Sequence, residues 1–79
     1  MLTLYVKTGC PFCARVLATG KELGIVFEEK NIADDAVATE LIKRGWKQQV
    51  PYLVDTDKNT EMYESADIDA YLHEYYAKH

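Results

Sequence analysis

Leu2, Leu4 and Val6 alternate with Thr3, Tyr5 and Lys7, the period of a strand with two distinct faces. Thr8-Gly9 breaks the alternation. From Pro11 the period lengthens: Cys13, Val16, Leu17, Gly20 and Leu23 recur at helical spacing, and Gly24 is placed as the stop. Ile25 to Ile32 begins with β-rich residues and predicts a second strand. Asp34 and Asp35 put negative charge at the start of a second helix, whose thin apolar face is Val37, Ala38 and Leu41. Lys43 and Arg44 suit its last turn, and Gly45 ends it. Trp46, just past that break, is expected to pack into the core. Pro51 can begin a strand but not sit inside one, so Tyr52-Leu53-Val54 follows it as a strand. The polar run 55–60 and Glu61-Met62-Tyr63 complete a hairpin. Ser65 is a good N-cap for a last helix with Ile68, Tyr71, Leu72 and Tyr75 as its buried stripe.

The predicted order is therefore β-α-β-α-β-β-α. The first strand–helix–strand unit implies a parallel pair joined by a right-handed crossover. A mixed four-stranded sheet flanked by three helices, an α/β fold, buries these faces. At 79 residues with 48% hydrophobic composition, residues 1–79 are expected to form one small domain. The net charge of −4 argues against a nucleic-acid partner. No apolar run approaches the ~20 residues that span a bilayer, and Leu2 to Val6 is too short for a signal peptide. A cytoplasmic, reducing compartment is the expectation, and there a Cys-x-x-Cys is more often catalytic than structural.

Both cysteines lie in Lys7-Thr8-Gly9-Cys10-Pro11-Phe12-Cys13, between the first strand and the first helix. Pro11 fits the first helical position, where its missing N–H costs nothing. Cys10 then sits at or beside the N-cap, where free N–H groups and the helix dipole stabilise an anion. A thiolate is such an anion, so Cys10 is expected to be the nucleophile, with Lys7 as a nearby cation that lowers its pKa. Cys13, facing the helix, is the partner that closes a disulfide. A structural zinc would need two further ligands; only His73 and His79 remain as candidates, at an unsuitable spacing, so no metal is expected.

With these residues the chain resembles the dithiol glutaredoxins of the thioredoxin superfamily. The matching pieces are Lys7-x-x-Cys10-Pro11-Phe12-Cys13, Val50-Pro51, and Tyr63-Glu64-Ser65-Ala66-Asp67-Ile68, in the right order across nearly the whole chain. The resemblance implies the thioredoxin-like fold, a cis peptide before Pro51, and glutathione as co-substrate. It implies that Lys7 and Gln48 face the glycine carboxylate of glutathione, with Lys47 nearly as good as Gln48. Phe12 would line the groove, and Val50 would pair with the peptide backbone. Ser65, with Ala66, would receive the γ-glutamyl carboxylate at the helix start. Two positions depart from the glutaredoxin pattern: Ala66 stands where many members have aspartate, and Gln49 where many have threonine. Glu64-Ser65 is instead similar to the glutathione site in the N-terminal domain of glutathione S-transferases, where Glu64 would accept the γ-glutamyl amino group. The chain is shorter than such a transferase with its helical domain.

The activity implied is reduction of protein–glutathione mixed disulfides and protein disulfides. The expected partners are glutathione and proteins carrying such disulfides, and the domain is expected to act as a monomer. Two alternatives stand beside it: an electron carrier reduced by thioredoxin reductase, and a non-enzymatic iron–sulfur cluster shared by two chains through Cys10 and glutathione.

Overall fold

A computed structural model describes residues 2–77. The element order is β1 (Leu2–Val6), α1 (Pro11–Glu22), β2 (Glu28–Asn31), α2 (Asp35–Gly45), β3 (Tyr52–Asp55), β4 (Thr60–Met62) and α3 (Ser65–Tyr76). The sheet order is β2-β1-β3-β4. β1 runs parallel to β2, with Thr3 opposite Glu28, and antiparallel to β3, with Leu4 opposite Leu53. β3 and β4 form the antiparallel hairpin. This is a thioredoxin-like α/β fold, a mixed four-stranded sheet with three helices.

The alternation of β1 sorts its side chains to two cores. Leu2, Leu4 and Val6 join Cys13, Val16, Leu53, Ile68, Tyr71 and Leu72 under α1 and α3. Tyr5 joins Leu41, Tyr52 and Val54 under α2. A central strand is covered on both faces, so all five residues of β1 are buried.

Each helix end follows from local chemistry. Gly24, at φ 73°, leaves α1 in the left-handed region that glycine adopts freely. It sets up a Schellman closure in which Ile25 N–H donates to the Gly20 carbonyl at 2.7 Å and Gly24 N–H to the Lys21 carbonyl at 3.2 Å. Asp34 caps α2 by accepting from Ala36 N–H at 2.9 Å.

Three expectations change. The second strand begins at Glu28, because the chain leaving the Schellman turn spends Ile25 to Phe27 returning to the sheet, and Val26 is 90% exposed. Trp46 does not plug the core: it is the C-cap of α2 at φ 72° and points outward, 91% exposed. Tyr63 occupies the space beside it, lying where a Cβ on Gly45 would project and donating its hydroxyl to the Lys47 carbonyl at 2.8 Å. Tyr75 is half exposed, and Tyr76 instead packs against the core under α3.

Candidate active site

The motif sits at the carboxyl end of β1, where the strand turns into α1. Gly9, at φ 82°, makes that turn. Cys10 N–H donates to the Lys7 carbonyl at 3.1 Å, which tightens the loop. Pro11 is the first residue of α1 and Cys10 its N-cap. The Cys10 Sγ accepts from the Cys13 backbone N–H at 3.3 Å, the bond an N-cap oxygen would otherwise take. Both cysteines are free thiols, Cys10 half-buried and Cys13 fully buried.

These surroundings push the two sulfurs apart in acidity. Burial raises the Cys10 pKa. The Cys13 thiol, the backbone N–H groups of Cys13 and Phe12, and the Lys7 charge act the other way and prevail, so Cys10 lies below an ordinary thiol. Burial first, and then the hydrogen bond to Cys10, push Cys13 up to about 11. The pair therefore presents one ionisable, half-accessible sulfur and one protonated, enclosed sulfur that donates to it. That is the division of labour of a nucleophile and a resolving thiol.

A cleft opens beside the motif. Its wall is Phe12, Gln49, Val50, Pro51, Glu64 and Ser65, around a volume of about 260 Å³. The Val50–Pro51 peptide is cis. Phe12 is 59% exposed at the start of α1, an apolar surface facing solvent. Ser65 does not cap α3: it is the first helical residue and is buried, while Glu64 holds the N-cap position without a side-chain capping bond. Glu64 adopts φ 69° and ψ 115°, a conformation that costs a non-glycine residue of order 1–3 kcal/mol. Its Oε1 accepts from Gln49 Nε2 at 3.0 Å. The first turn of α3 thus lacks a side-chain cap, and Ser65 at its start lines the cleft.

On the β2 side, Cys10 and Cys13 border a second cavity of about 210 Å³, with Lys7, Leu17, Glu29 and Asn31 in its wall. Asn31 Nδ2 donates to Thr8 Oγ1 at 2.9 Å and ties the motif loop to the end of β2. Lys7 is exposed. Gln48 is exposed and outside the cleft lining; its neighbour Gln49 lines the wall. Lys47 lies over the Tyr63 ring, its Nζ 4.9 Å from the centroid. Gln49 is the cleft residue that sequence reasoning did not name as a site. Its place directly before Val50-Pro51 was the available signal. A larger concavity of about 570 Å³, between α2 and β4, contains none of the expected site residues. Among the described residues no cluster of three or more His, Cys, Asp or Glu is arranged to hold a metal, and no helix is long and apolar enough to cross a membrane.

The family model of the glutathione S-transferase N-terminal domain matches residues 4–79. The chain belongs to that family. Among solved structures, a glutathione S-transferase from Anopheles dirus species B is 32% identical with a TM-score of 0.82, over 98% of this chain and 37% of that one. A delta-class glutathione transferase from Nilaparvata lugens is 28% identical with a TM-score of 0.83, over 100% of this chain and 38% of that one. A thioredoxin-like protein shares the fold at 22% identity, with a TM-score of 0.70 over 81% of this chain and 85% of that one. A search of curated proteins gave no match. The transferase N-domain seen here spans less than two fifths of the transferases it matches. Membership places it in the thioredoxin superfamily through the transferase branch, with which the Glu64-Ser65 pair is consistent.

Proposed function

We propose that this transferase N-domain binds glutathione in the cleft beside Pro51 and uses Cys10 and Cys13 for glutathione-dependent thiol–disulfide exchange. The reading rests on one observation above the others: the Cys10 Sγ occupies the cap of α1, takes the Cys13 N–H at 3.3 Å, and has its pKa lowered there. A residue selected only to start a helix would be Ser, Thr, Asp or Asn. A thiolate gains the same bond and becomes reactive at neutral pH.

In this mechanism the Cys10 thiolate attacks the glutathione sulfur of a protein–glutathione mixed disulfide. The S–S bond breaks, the protein leaves as a thiolate and takes a proton, and Cys10 carries the glutathione. A second glutathione, as thiolate, attacks that sulfur and releases Cys10 with glutathione disulfide as product. With a protein disulfide, Cys10 forms a mixed disulfide and Cys13, losing its proton, displaces the protein thiol and closes the Cys10–Cys13 bond. Two glutathiones then reopen it. The cleft would hold glutathione with its backbone along Val50, its γ-glutamyl carboxylate at the α3 start beside Ser65, and its amino group at Glu64. Phe12 would cover its apolar side, and Lys7 would face the glycine carboxylate. Release of the domain's own disulfide by thioredoxin reductase, or a cluster shared through Cys10, would each need a different reductant or an iron-dependent absorbance.

Family membership favours a second reading, in which the domain is the glutathione-binding half of a transferase that activates glutathione's own thiol. Turnover on a glutathionylated peptide, coupled to glutathione reductase, separates the two. Cys10→Ser is expected to abolish it, and Cys13→Ser to retain it while losing turnover on protein disulfides. Conjugation of 1-chloro-2,4-dinitrobenzene that persists in Cys10→Ser, with no peptide reduction by the unaltered protein, would favour the transferase.

A further inference from the structure

Glu29 breaks the pattern of the sheet face it lies on. In the parallel register Glu29 stands opposite Leu4, and Asn31 opposite Val6. Leu4 and Val6 belong to the core under α1 and α3, so Glu29 and Asn31 lie on that side of the sheet. Lys30, between them, takes the other face and pairs with Glu40 of α2 at 3.0 Å. An apolar residue in place of Glu29 would extend the core, yet a carboxylate stands there. Among the described residues no ion pair or side-chain hydrogen bond engages it. Asn31 is already committed: it donates to Thr8 Oγ1 at 2.9 Å and accepts from Ala33 N–H at 2.9 Å. Glu29 shares a cavity of about 210 Å³ with Cys10, Cys13, Lys7 and Leu17, and no residue of that wall belongs to the cleft beside Pro51.

We propose that this cavity is a second substrate site: it takes one half of the disulfide of a free α-amino acid, with Glu29 receiving the ammonium group and Lys7 the carboxylate. The proposal rests on reading Cys10 and Cys13 as an exchange pair. The volume lies below the roughly 300–1,000 Å³ of pockets that enclose drug-sized ligands, and suits a single amino acid rather than a tripeptide. A carboxylate and an ammonium borne by one wall match the two charges of an amino acid, and Leu17 offers apolar surface to its methylene. Only one substrate can hold Cys10 at a time, so Lys7 serves a carboxylate in either opening. The Cys10 thiolate attacks one sulfur of the disulfide; the S–S bond breaks, and the first amino acid leaves as a thiolate and takes a proton. The second stays on Cys10 as a mixed disulfide. Cys13 then loses its proton and attacks the Cys10 sulfur, and the second amino acid leaves in the same way. The substrate is reduced to two thiols, and the domain is oxidised to the Cys10–Cys13 disulfide.

The test oxidises the reduced domain, without glutathione present, using three disulfides at neutral pH. These are cystine, dithiodipropionate (cystine without its ammonium groups) and glutathione disulfide. Samples are quenched with acid, and the loss of two hydrogens is followed by mass spectrometry. The rate constant of Glu29→Gln is divided by that of the unaltered domain for each disulfide, so that differences in leaving group cancel. Cystine is expected to slow by about fivefold or more, the scale of one charge-assisted hydrogen bond. Dithiodipropionate and glutathione disulfide are expected to fall by less than about twofold. Cystine carries no net charge, so a through-space effect of the lost carboxylate would leave it unchanged. An unchanged cystine rate, or an equal fall for all three disulfides, overturns the second site and leaves the exchange reading intact. An unaltered domain that none of the three oxidises to the Cys10–Cys13 disulfide overturns both.

Discussion

The hydrogen bonds at the start of α1, together with the Lys7 charge, separate Cys10 from an ordinary thiol. Cys10 is only half-buried, so its desolvation penalty is small enough for the hydrogen bonds around it to win. Cys13 contributes twice, through its backbone N–H and its thiol proton. Cys13→Ala removes only the second, and is expected to raise the Cys10 pKa without restoring it to the free value. Titration of the Cys10 thiolate absorbance near 240 nm checks this; no upward movement would mean that the Cys13 thiol does not donate. The place of Cys10 at the helix cap and the enclosure of Cys13 were legible in the sequence, because Pro11 fixes where the helix begins and so which cysteine caps it. The proposed glutathione contacts were less legible. Ser65 has the side chain of a cap but lies one position inside the helix, because Glu64 takes the left-handed turn that pattern alone would have given to glycine.

Elements depend on the small residues that let them approach. Gly20 lies inside α1, where alanine would normally gain about 1 kcal/mol of helix propensity. A Cβ at this position would run into the Phe27 ring, which packs down from the segment leading to β2. Overpacking of this kind costs about 1–3 kcal/mol, so Gly20→Ala is expected to destabilise the domain. In a Phe27→Ala background the obstruction is gone and the same change is expected to stabilise. Urea unfolding of the four proteins measures the sign; the same sign in both backgrounds would show that Phe27 is not what demands glycine. The register of the helices was readable from spacing. The start of β2 and the orientation of Trp46 were not, because both depend on neighbours distant in sequence. Ile25 N–H is consumed by the α1 cap, and Tyr63 fills the space beside Gly45.

Across the whole molecule, the pole opposite the motif is held by Asp55. It is fully buried at the end of β3 and accepts from the hydroxyls of Tyr71, at 2.6 Å, and Tyr76. The N–H groups of Asp57, at 3.0 Å, and Lys58, at 3.3 Å, complete its shell. The hairpin is thereby bound to the last turns of α3, the helix whose first turn edges the cleft. Burial raises the Asp55 pKa, but the two tyrosines and the two backbone donors outweigh it, and the carboxyl lies below the usual aspartate value. Burial and the same carboxylate push Tyr71 up to about 12. A depressed carboxyl pKa contributes stability that is whole above the unfolded value, about pH 4, and is lost as pH falls through the lower folded value. Asp55→Asn is therefore expected to lower stability at pH 7 by about 2 kcal/mol, the scale of hydrogen bonds to a charged group. It should also flatten the loss of urea resistance as pH falls from about 5 to about 2. An acid limb as steep as that of the unaltered domain would place the controlling carboxyl elsewhere.

The architecture as a whole was legible because β1 carries two alternating apolar sets, one for each side of the sheet. The proposed exchange depends on one sulfur at the edge of the domain. The most direct measurement is the rate of Cys10 alkylation by iodoacetamide against pH, followed by mass spectrometry of the cysteine peptides. The account predicts a rise centred clearly below the ordinary thiol value of about 8.5, with Cys13 slow throughout the neutral range. A Cys10 profile centred at or above that value, or faster modification of Cys13, would contradict it.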